Sequence, residues 1–420
     1  MWPGYLPQST GAEMPRTTPF HPRIAALSTS FSWKEWAGYA AACTYDAHSE
    51  AEYFSVRSTA GLLDVTPLYK LDLKGPDAGR LLSRVWTRDI SKIGVGRVVY
   101  SVMCDAAGYL LDDGTVARLG PEHFRCTSSE PWLAWMSRHA RGMDVSIEDT
   151  TDQIAALALQ GPRAREILKS VVEFDMDRMR FFRMRKTTLS GIPLHISRTG
   201  YTGDLGYELW VENDHALDLW DALMAAGDPH GMRPIGLDAL DVSRIEAGFV
   251  LQGVDYVSAR HCLIDSRKST PDDAGLGWTV DLDRAPFIGQ AAIRAERERG
   301  PSWDLVGLEI SWPDIDTLYA SYGLPPHLAP VACRSAVPVY DSAGQQVGQA
   351  TSTTWSPTCK RYLALAQVRR PHHQIGTELH IEHTVEFERR QVKATVVERP
   401  FFDPPRKRTT PGAVKREAAS

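Results

Sequence analysis

The sequence has no Cys-x-x-Cys pair: its six cysteines, Cys43, Cys104, Cys126, Cys262, Cys333 and Cys359, stand far apart. That spacing argues against zinc ribbons and dithiol redox motifs and fits reduced thiols in a cytoplasm. No apolar run approaches the ~18 residues a membrane span needs, and Met1 to Arg23 has no apolar core of the secretory kind. No excess of basic charge is present either. Lys and Arg total 47 against 52 Asp and Glu, a net charge of -5, which disfavours a nucleic-acid partner. The one basic cluster, Arg406-Lys407-Arg408 beside Pro404-Pro405, reads as a solvated tail. Metal-ligand spacing is missing, since His380 and His383 fall on opposite faces of a strand and His372-His373 have no further ligands at useful intervals. A Ser or Cys nucleophile motif and a phosphate-cradling loop with its lysine are also missing, which weakens hydrolytic and phosphoryl-transfer readings.

What is present is an ordinary globular composition, 43% hydrophobic and 24% charged over 420 residues, enough chain for two or three domains. One pattern occurs twice. Leu71-Asp-Leu-Lys-Gly75-Pro76-Asp-Ala78, followed by Leu81-Leu82, matches Leu157-Ala-Leu-Gln-Gly161-Pro162-Arg-Ala164, followed by Ile167-Leu168. Each reads as a strand ending at glycine, then proline at the first helical position, then an amphipathic helix. Two related halves would meet along a seam, where small ligands commonly bind. Strands are expected over Val98 to Met103 and Gly108 to Leu119, over Leu189 to Ser197, and over Tyr207 to Val211. Helices are expected over Ala216 to Ala226 and Leu237 to Gly248. After Leu305 short alternating strands suit a barrel or sandwich, and Trp312 to Pro330 reads as a packed surface loop or a lid. The expected division is an arm over 1–22, interleaved halves over about 23–150 and 151–300, a barrel over 301–403, and a tail over 404–420.

Three places could carry chemistry. The turn Gly200-Tyr-Thr-Gly203-Asp-Leu-Gly206 leads into a strand, not a helix, so it is no dinucleotide fingerprint. It does deliver Glu208 beside a turn where backbone can approach a flat ligand, and one carboxylate can accept both donors of a guanidine-like edge. Asp112 and Asp113 end an apolar strand, where alternation lets one of them face inward and stabilise a cationic intermediate. Arg244 sits on a helix, where an ion pair is the plainest role.

In order along the chain, several segments resemble the glycine cleavage T-protein (aminomethyltransferase) and folate-dependent demethylase superfamily. They are Ala60-Gly-Leu-Leu-Asp64-Val65, Tyr100-Ser-Val-Met103 leading into Leu111-Asp112-Asp113, and Leu159-Gln-Gly161-Pro162. They continue through Arg198-Thr-Gly-Tyr201-Thr-Gly203-Asp-Leu-Gly-Tyr207-Glu208, Arg244-Ile-Glu-Ala-Gly248, Gly275-Leu-Gly-Trp278-Thr and Ala350-Thr-Ser352. The resemblance implies an α+β fold, with two related sheet-plus-helix domains around a central folate channel and a C-terminal β-barrel. It implies tetrahydrofolate as the one-carbon acceptor, with Asp112 as the catalytic carboxylate, Tyr100 and Met103 lining the pterin channel, and Glu208 on the pterin edge. Tyr201, Arg244 and Trp278 complete the implied cofactor-binding set. The donor would be a small molecule or an aminomethyl group on the lipoyl arm of a carrier protein. Thr66-Pro67 stands where the glycine-cleavage enzymes carry Ser-His, Leu240 replaces an arginine, and Ser129 replaces an asparagine. Those departures resemble the folate-dependent demethylases and the folate-binding halves of sarcosine and dimethylglycine dehydrogenases. A non-catalytic folate-binding protein is the third reading.

Overall fold

A computed structural model describes residues 14–411 of the chain. Its main layers are a five-stranded sheet, a six-stranded sheet and a closed six-stranded barrel, the α+β arrangement with a C-terminal barrel that the resemblance implied. The first sheet runs Val98–Cys104, Leu110–Gly120, His123–Ser128, Tyr69–Lys74, Ser146–Asp149. The second runs Met184–Leu189, Ile192–Ser197, Gly206–Glu212, Ile154–Gln160, Gly61–Asp64, Arg233–Pro234. Placed side by side, the first five positions follow one plan. Three antiparallel strands in chain order are followed by the strand that enters the glycine turn, and then by a strand taken from the other half of the chain.

That last strand explains the interleaving. Gly61–Asp64 joins the second sheet although it immediately precedes Tyr69–Lys74 of the first, and Ser146–Asp149 joins the first sheet although it precedes Ile154–Gln160 of the second. Each crossing connection is tied to a strand of the opposite unit. Thr66 Oγ1 accepts the Ala156 N–H at 3.1 Å, and Thr151 Oγ1 accepts the Lys70 N–H at 3.0 Å.

The duplicated turn is conformationally the same in both halves. Gly75 has φ +134° and Gly161 φ +133°, a region that L side chains avoid. A Cβ would lie 2.5 Å from the Asp144 carbonyl oxygen at Gly75 and 2.7 Å from the Thr59 carbonyl oxygen at Gly161. The helices that follow, Ala78–Val85 and Ala164–Lys169, begin later than expected. Pro76 and Pro162 precede the N-cap residues Asp77 and Arg163, because a turn from Gly75 to Ala78 and from Gly161 to Ala164 closes first. Each helix buries its apolar stripe, Ala78, Leu81, Leu82 and Val85 in the first half, against one face of its own sheet.

Four expectations need correction. Leu189 to Ser197 is a hairpin turn plus one strand: Met184–Leu189 pairs with Ile192–Ser197 around Ser190 and Gly191, both at positive φ. Trp312 to Pro330 is not all loop. Trp312–Ser321 is a helix, because Pro313 sits in the first turn, where its missing N–H costs nothing, and Ser311 caps it. Its Ile315 and Tyr319 are buried in the barrel core. The opening arm is docked from Arg16 onward, where its N–H meets the Gly38 carbonyl, with Phe20 fully buried and Thr18 Oγ1 donating to Asp64 at 2.6 Å; residues 1–13 lie outside the described residues. The basic tail is also not solvated. Arg406 forms a bidentate pair with Asp204, Lys407 is buried, and the buried Arg198 donates to the carbonyls of Arg406, Lys407 and Thr409.

Candidate functional site

Strand alternation decides which residues look into the seam. On Val98–Cys104, Val98, Tyr100 and Val102 face one way and Val99, Ser101 and Met103 the other. The register couples Val98 to Ala117, Tyr100 to Thr115 and Val102 to Asp113. Val98 and Ala117 pack with Ala156, Ala158 and Trp210 of the second sheet, so their face of the first sheet is the one turned toward the second. On Gly206–Glu212, Tyr207, Leu209 and Val211 pack under the helices, while Trp210 joins the inter-sheet core. Glu208 shares the parity of Trp210. Tyr100 and Asp113 therefore emerge on one inner face and Glu208 on the facing one.

This corrects two assignments. Met103 is fully buried in the helix-covered core with Trp86 and Leu111, because it has the opposite parity to Tyr100. Asp112 is also fully buried, and it lies opposite Met103. Its carboxylate accepts the Asp113 N–H at 2.8 Å, the Glu130 N–H at 3.0 Å and the Trp132 indole N–H at 2.7 Å, and it contacts the Ser129 hydroxyl. Asp113 is half-buried on the seam face. Tyr100 donates its hydroxyl to Asp113 Oδ2 at 2.8 Å, and Tyr256 donates to Oδ1. Both acids were thus removed from bulk water, one on each face. Burial raises both carboxyl groups, with Asp113 adding to the rise at Asp112 and Asp255 adding to that at Asp113. Burial beside Asp113 holds the Tyr100 and Tyr256 phenols well above their ordinary range, so they act as neutral donors.

Across the seam, Glu208 is half-buried, and Thr199 Oγ1 donates to its Oε2 at 2.9 Å. Burial raises this carboxyl too. The glycine-rich turn before it is packed from within: Gln160 fills the space at Gly200 and Gly206, where a Cβ would come within 2.0 Å and 2.2 Å of Gln160 Oε1. Gln160 in turn accepts from Thr202 Oγ1 at 2.9 Å and donates to the Thr199 carbonyl at 3.3 Å. Tyr201 stacks on Phe249 at 5.6 Å and donates its hydroxyl to the Val250 carbonyl.

Arg244 is fully buried and makes both kinds of ion pair, within its helix to Asp241 at 3.2 Å and beyond it to Asp255 at 2.7 Å. The barrel sets this arrangement, since Thr351 and Ser352 each donate to Asp255 Oδ1 at 2.6 Å. One guanidinium nitrogen, Arg244 Nη2, is buried without a hydrogen-bond partner. A buried donor left open in this way fits a ligand acceptor. Trp278 is 64% exposed and stacks on Tyr100 at 5.8 Å, with the Arg88 guanidinium 5.2 Å from its ring.

The sequence reading missed Tyr256, Asp255 and Gln252. They lie on an irregular segment after the helix Leu237–Glu246, where no periodicity marks which side chains turn inward. Among the described residues, no group of three or more His, Cys, Asp and Glu side chains could hold a metal ion, and no helix is long and apolar enough to cross a membrane.

Residues 21–284 match the family model of the GCVT N-terminal domain, and residues 323–403 match that of the glycine cleavage T-protein C-terminal barrel domain. The chain belongs to the glycine cleavage T-protein family. Within reach of this family, an aminomethyltransferase of Geobacillus thermodenitrificans is 33% identical over 395 residues, covering 93% of the chain and 99% of that protein. An aminomethyltransferase of Caldanaerobacter subterraneus is 32% identical over 373 residues, covering 88% and 91%. A trimethylamine-oxide aldolase of Ruegeria pomeroyi is 34% identical over 410 residues, covering 94% of the chain but 48% of that protein, so the chain spans about half of its length. The crystal structure of glycine cleavage system aminomethyltransferase T from Bartonella henselae shares the T-protein fold, with a TM-score of 0.78 at 24% identity over 93% of this chain and 99% of that one.

Proposed function

We propose that this T-protein family member is a tetrahydrofolate-dependent one-carbon transferase, working in the cytoplasm, whose acting carboxylate is Asp113. The observation that supports it best is the pairing across the seam: Asp113 gripped by two tyrosine hydroxyls on one inner face, and Glu208 on the other. Bound there, tetrahydrofolate would supply the nitrogen nucleophile that receives the carbon unit. Glu208, held at Oε2 by Thr199, would accept the pterin edge with its carboxylate. Arg244 Nη2 offers its unused N–H to a folate acceptor. Trp278, stacked on Tyr100, and Tyr201, stacked on Phe249, would add aromatic surface for the pterin. Asp113, which accepts from two phenols, would in its ionised form stabilise positive charge on the transferred carbon and accept a proton from the attacking nitrogen.

A second reading concerns the donor. Asp112 and Asp113 have no cation among their hydrogen-bond partners, only N–H and O–H groups. Such a pair favours a donor that is itself a cation, which suits a small N-methyl amine as well as an aminomethyl group on a lipoyl carrier. The similarity to a trimethylamine-oxide aldolase supports the former, and that to aminomethyltransferases the latter. Incubation with tetrahydrofolate and either donor, followed by identification of methylene or 5-methyl folate, tests both. Stoichiometric folate binding without consumption in the presence of every donor would leave only a non-catalytic folate-binding protein.

A further inference from the structure

Four side chains link the buried Asp112 to the surface, and their protons can be counted. The Ser129 hydroxyl lies between Asp112 Oδ1 and Gln252 Oε1, and the far end of the Gln252 amide meets Glu130 Oε1. Glu130 Oε2 then contacts His261 Nε2 at 3.0 Å, and the His261 side chain is 60% exposed. The chain from Asp112 to Glu130 contains three hydrogen bonds. Ser129 supplies one proton, and the Gln252 amide supplies one at whichever end its nitrogen points. The third must come from a carboxylic acid. The amide nitrogen that meets Glu130 also donates to the Leu111 carbonyl at 3.5 Å, and with the nitrogen on that side the third proton falls to Asp112.

We propose that Asp112, Ser129, Gln252 and Glu130 form a proton store, which holds one proton beside Asp113 at neutral pH and exchanges it with solvent at the Glu130 and His261 end. Ser129, Gln252 and Glu130 are positioning residues: they touch no reacting atom and act by keeping a neighbour of Asp113 uncharged. The charged and titratable groups around the store are Asp113 on the same strand, Tyr100 across from it, Tyr69 on the strand beside Ser128, Tyr256 and Asp255 on the following loop, and Arg260, whose guanidinium is 4.0 Å from Glu130. None of them can replace the missing proton between Ser129 and Gln252. The functional consequence rests on the assignment of Asp113 as the acting carboxylate, but the stored proton itself does not.

Infrared difference spectroscopy of the protein alone, at pH 7, tests the store without folate or donor. The wild-type protein should show a carboxylic-acid C=O band that disappears in Asp112→Asn. It should disappear equally in Glu130→Gln, because an amide at position 130 can donate to Gln252, turn that amide toward Ser129, and satisfy an ionised Asp112. Burial alone would protonate Asp112 without regard to residue 130. A band absent at pH 7, or retained in full by Glu130→Gln, overturns the proposal. Thermal melting followed by circular dichroism checks that both variants fold, and Glu130→Gln, near the surface, carries the test by itself should Asp112→Asn not fold. In turnover, Glu130→Gln should move the acid limb of the kcat profile to higher pH, since an ionised Asp112 makes Asp113 harder to ionise. An unmoved limb alongside a lost band would mean that Asp113 is not the acting group, while the store stands.

Discussion

The two halves were built on one plan and now do different work. Their strand-to-helix turns superimpose in conformation, with Gly75 and Gly161 within a degree of each other in φ, and their fifth strands are exchanged symmetrically. Yet the inner face of the first sheet presents Tyr100, Asp113 and Thr115, and that of the second presents Glu208 and Trp210. Conserving the frame keeps the seam at a fixed width, and substituting the inward positions gives each wall its own role. The first wall carries charge for chemistry, and the second grips a ligand edge.

If the division holds, the largest effect belongs to the first wall. Asp113→Asn should lower kcat by roughly 10²–10³-fold, about 3–4 kcal/mol, and leave folate affinity within a factor of a few. Steady-state kinetics and calorimetry on one preparation separate the two quantities. Asp112→Asn, on the buried face, should cost clearly less in kcat. Equal losses for the two would mean that strand alternation does not select the acting carboxylate. Next in size, Glu208→Gln should weaken folate binding by about 1–3 kcal/mol, because one pterin donor then meets an amide donor, with kcat at saturating folate little changed. A kcat loss matching that of Asp113→Asn would erase the contrast between the walls.

The shared turn can be broken in either half. Gly161→Ala should destabilise by roughly 2–4 kcal/mol, since its Cβ would meet Thr59 O, Ala60 Cα and Val56 O, all within 2.9 Å, at a buried position. Gly75→Ala meets mainly the Asp144 to Val145 segment, which is partly exposed and can move, so about half of that cost is expected. Urea unfolding of the two variants measures the difference. A larger cost at Gly75 would show that the first half, not the second, is the more rigid frame.

The duplication, the hairpin around Asp105 and Gly108, the glycine-rich turn with Glu208, and the barrel strands were legible because each has a local signature: a repeat, a turn dipeptide or an alternation. What stayed hidden depended on information that a strand does not carry by itself. Asp112 and Asp113 are adjacent, and nothing in Leu110-Leu-Asp-Asp-Gly says which parity faces the other sheet; the packing of Val98 and Ala117 on the second sheet, carried along a regular register, sets it. Met103 lies three positions from Tyr100 on one strand, so alternation puts the two on opposite faces and only one can line the seam. The helix Trp312–Ser321 was obscured by its prolines, of which one is in the first turn and the others follow the helix. Tyr256 and Gln252 sit on coil, where no pattern precedes the fold. The basic tail looked solvated because its partners, the Asp204 carboxylate and the Arg198 guanidinium, are some 200 residues away in sequence.

The smallest predicted effect probes one position where the halves differ outright. Counting from Gly75 and Gly161, Lys70 of the first half corresponds to Ala156 of the second, and both lie at the strand exchange. Lys70 is fully buried, donates to the Thr66 and Leu68 carbonyls at 2.7 Å each, and burial lowers its ammonium to about 7. In the unfolded chain this lysine titrates near 10.5, so above pH 7 the unfolded state binds a proton that the folded state has released. Stability attributable to Lys70 therefore rises with pH between about 7 and 10.5, and it is lost as pH falls from 10.5 to 7, below which both states hold the proton. Between pH 7 and pH 8 the rise should be about 1 kcal/mol in the wild-type protein relative to Lys70→Met, a comparison that cancels the titrating groups remote from residue 70. Matched urea titrations at the two pH values measure it. A flat difference would mean that the ammonium stays charged at the crossing, held there by Asp64, and that the first half tolerates a buried cation where the second has only a methyl group.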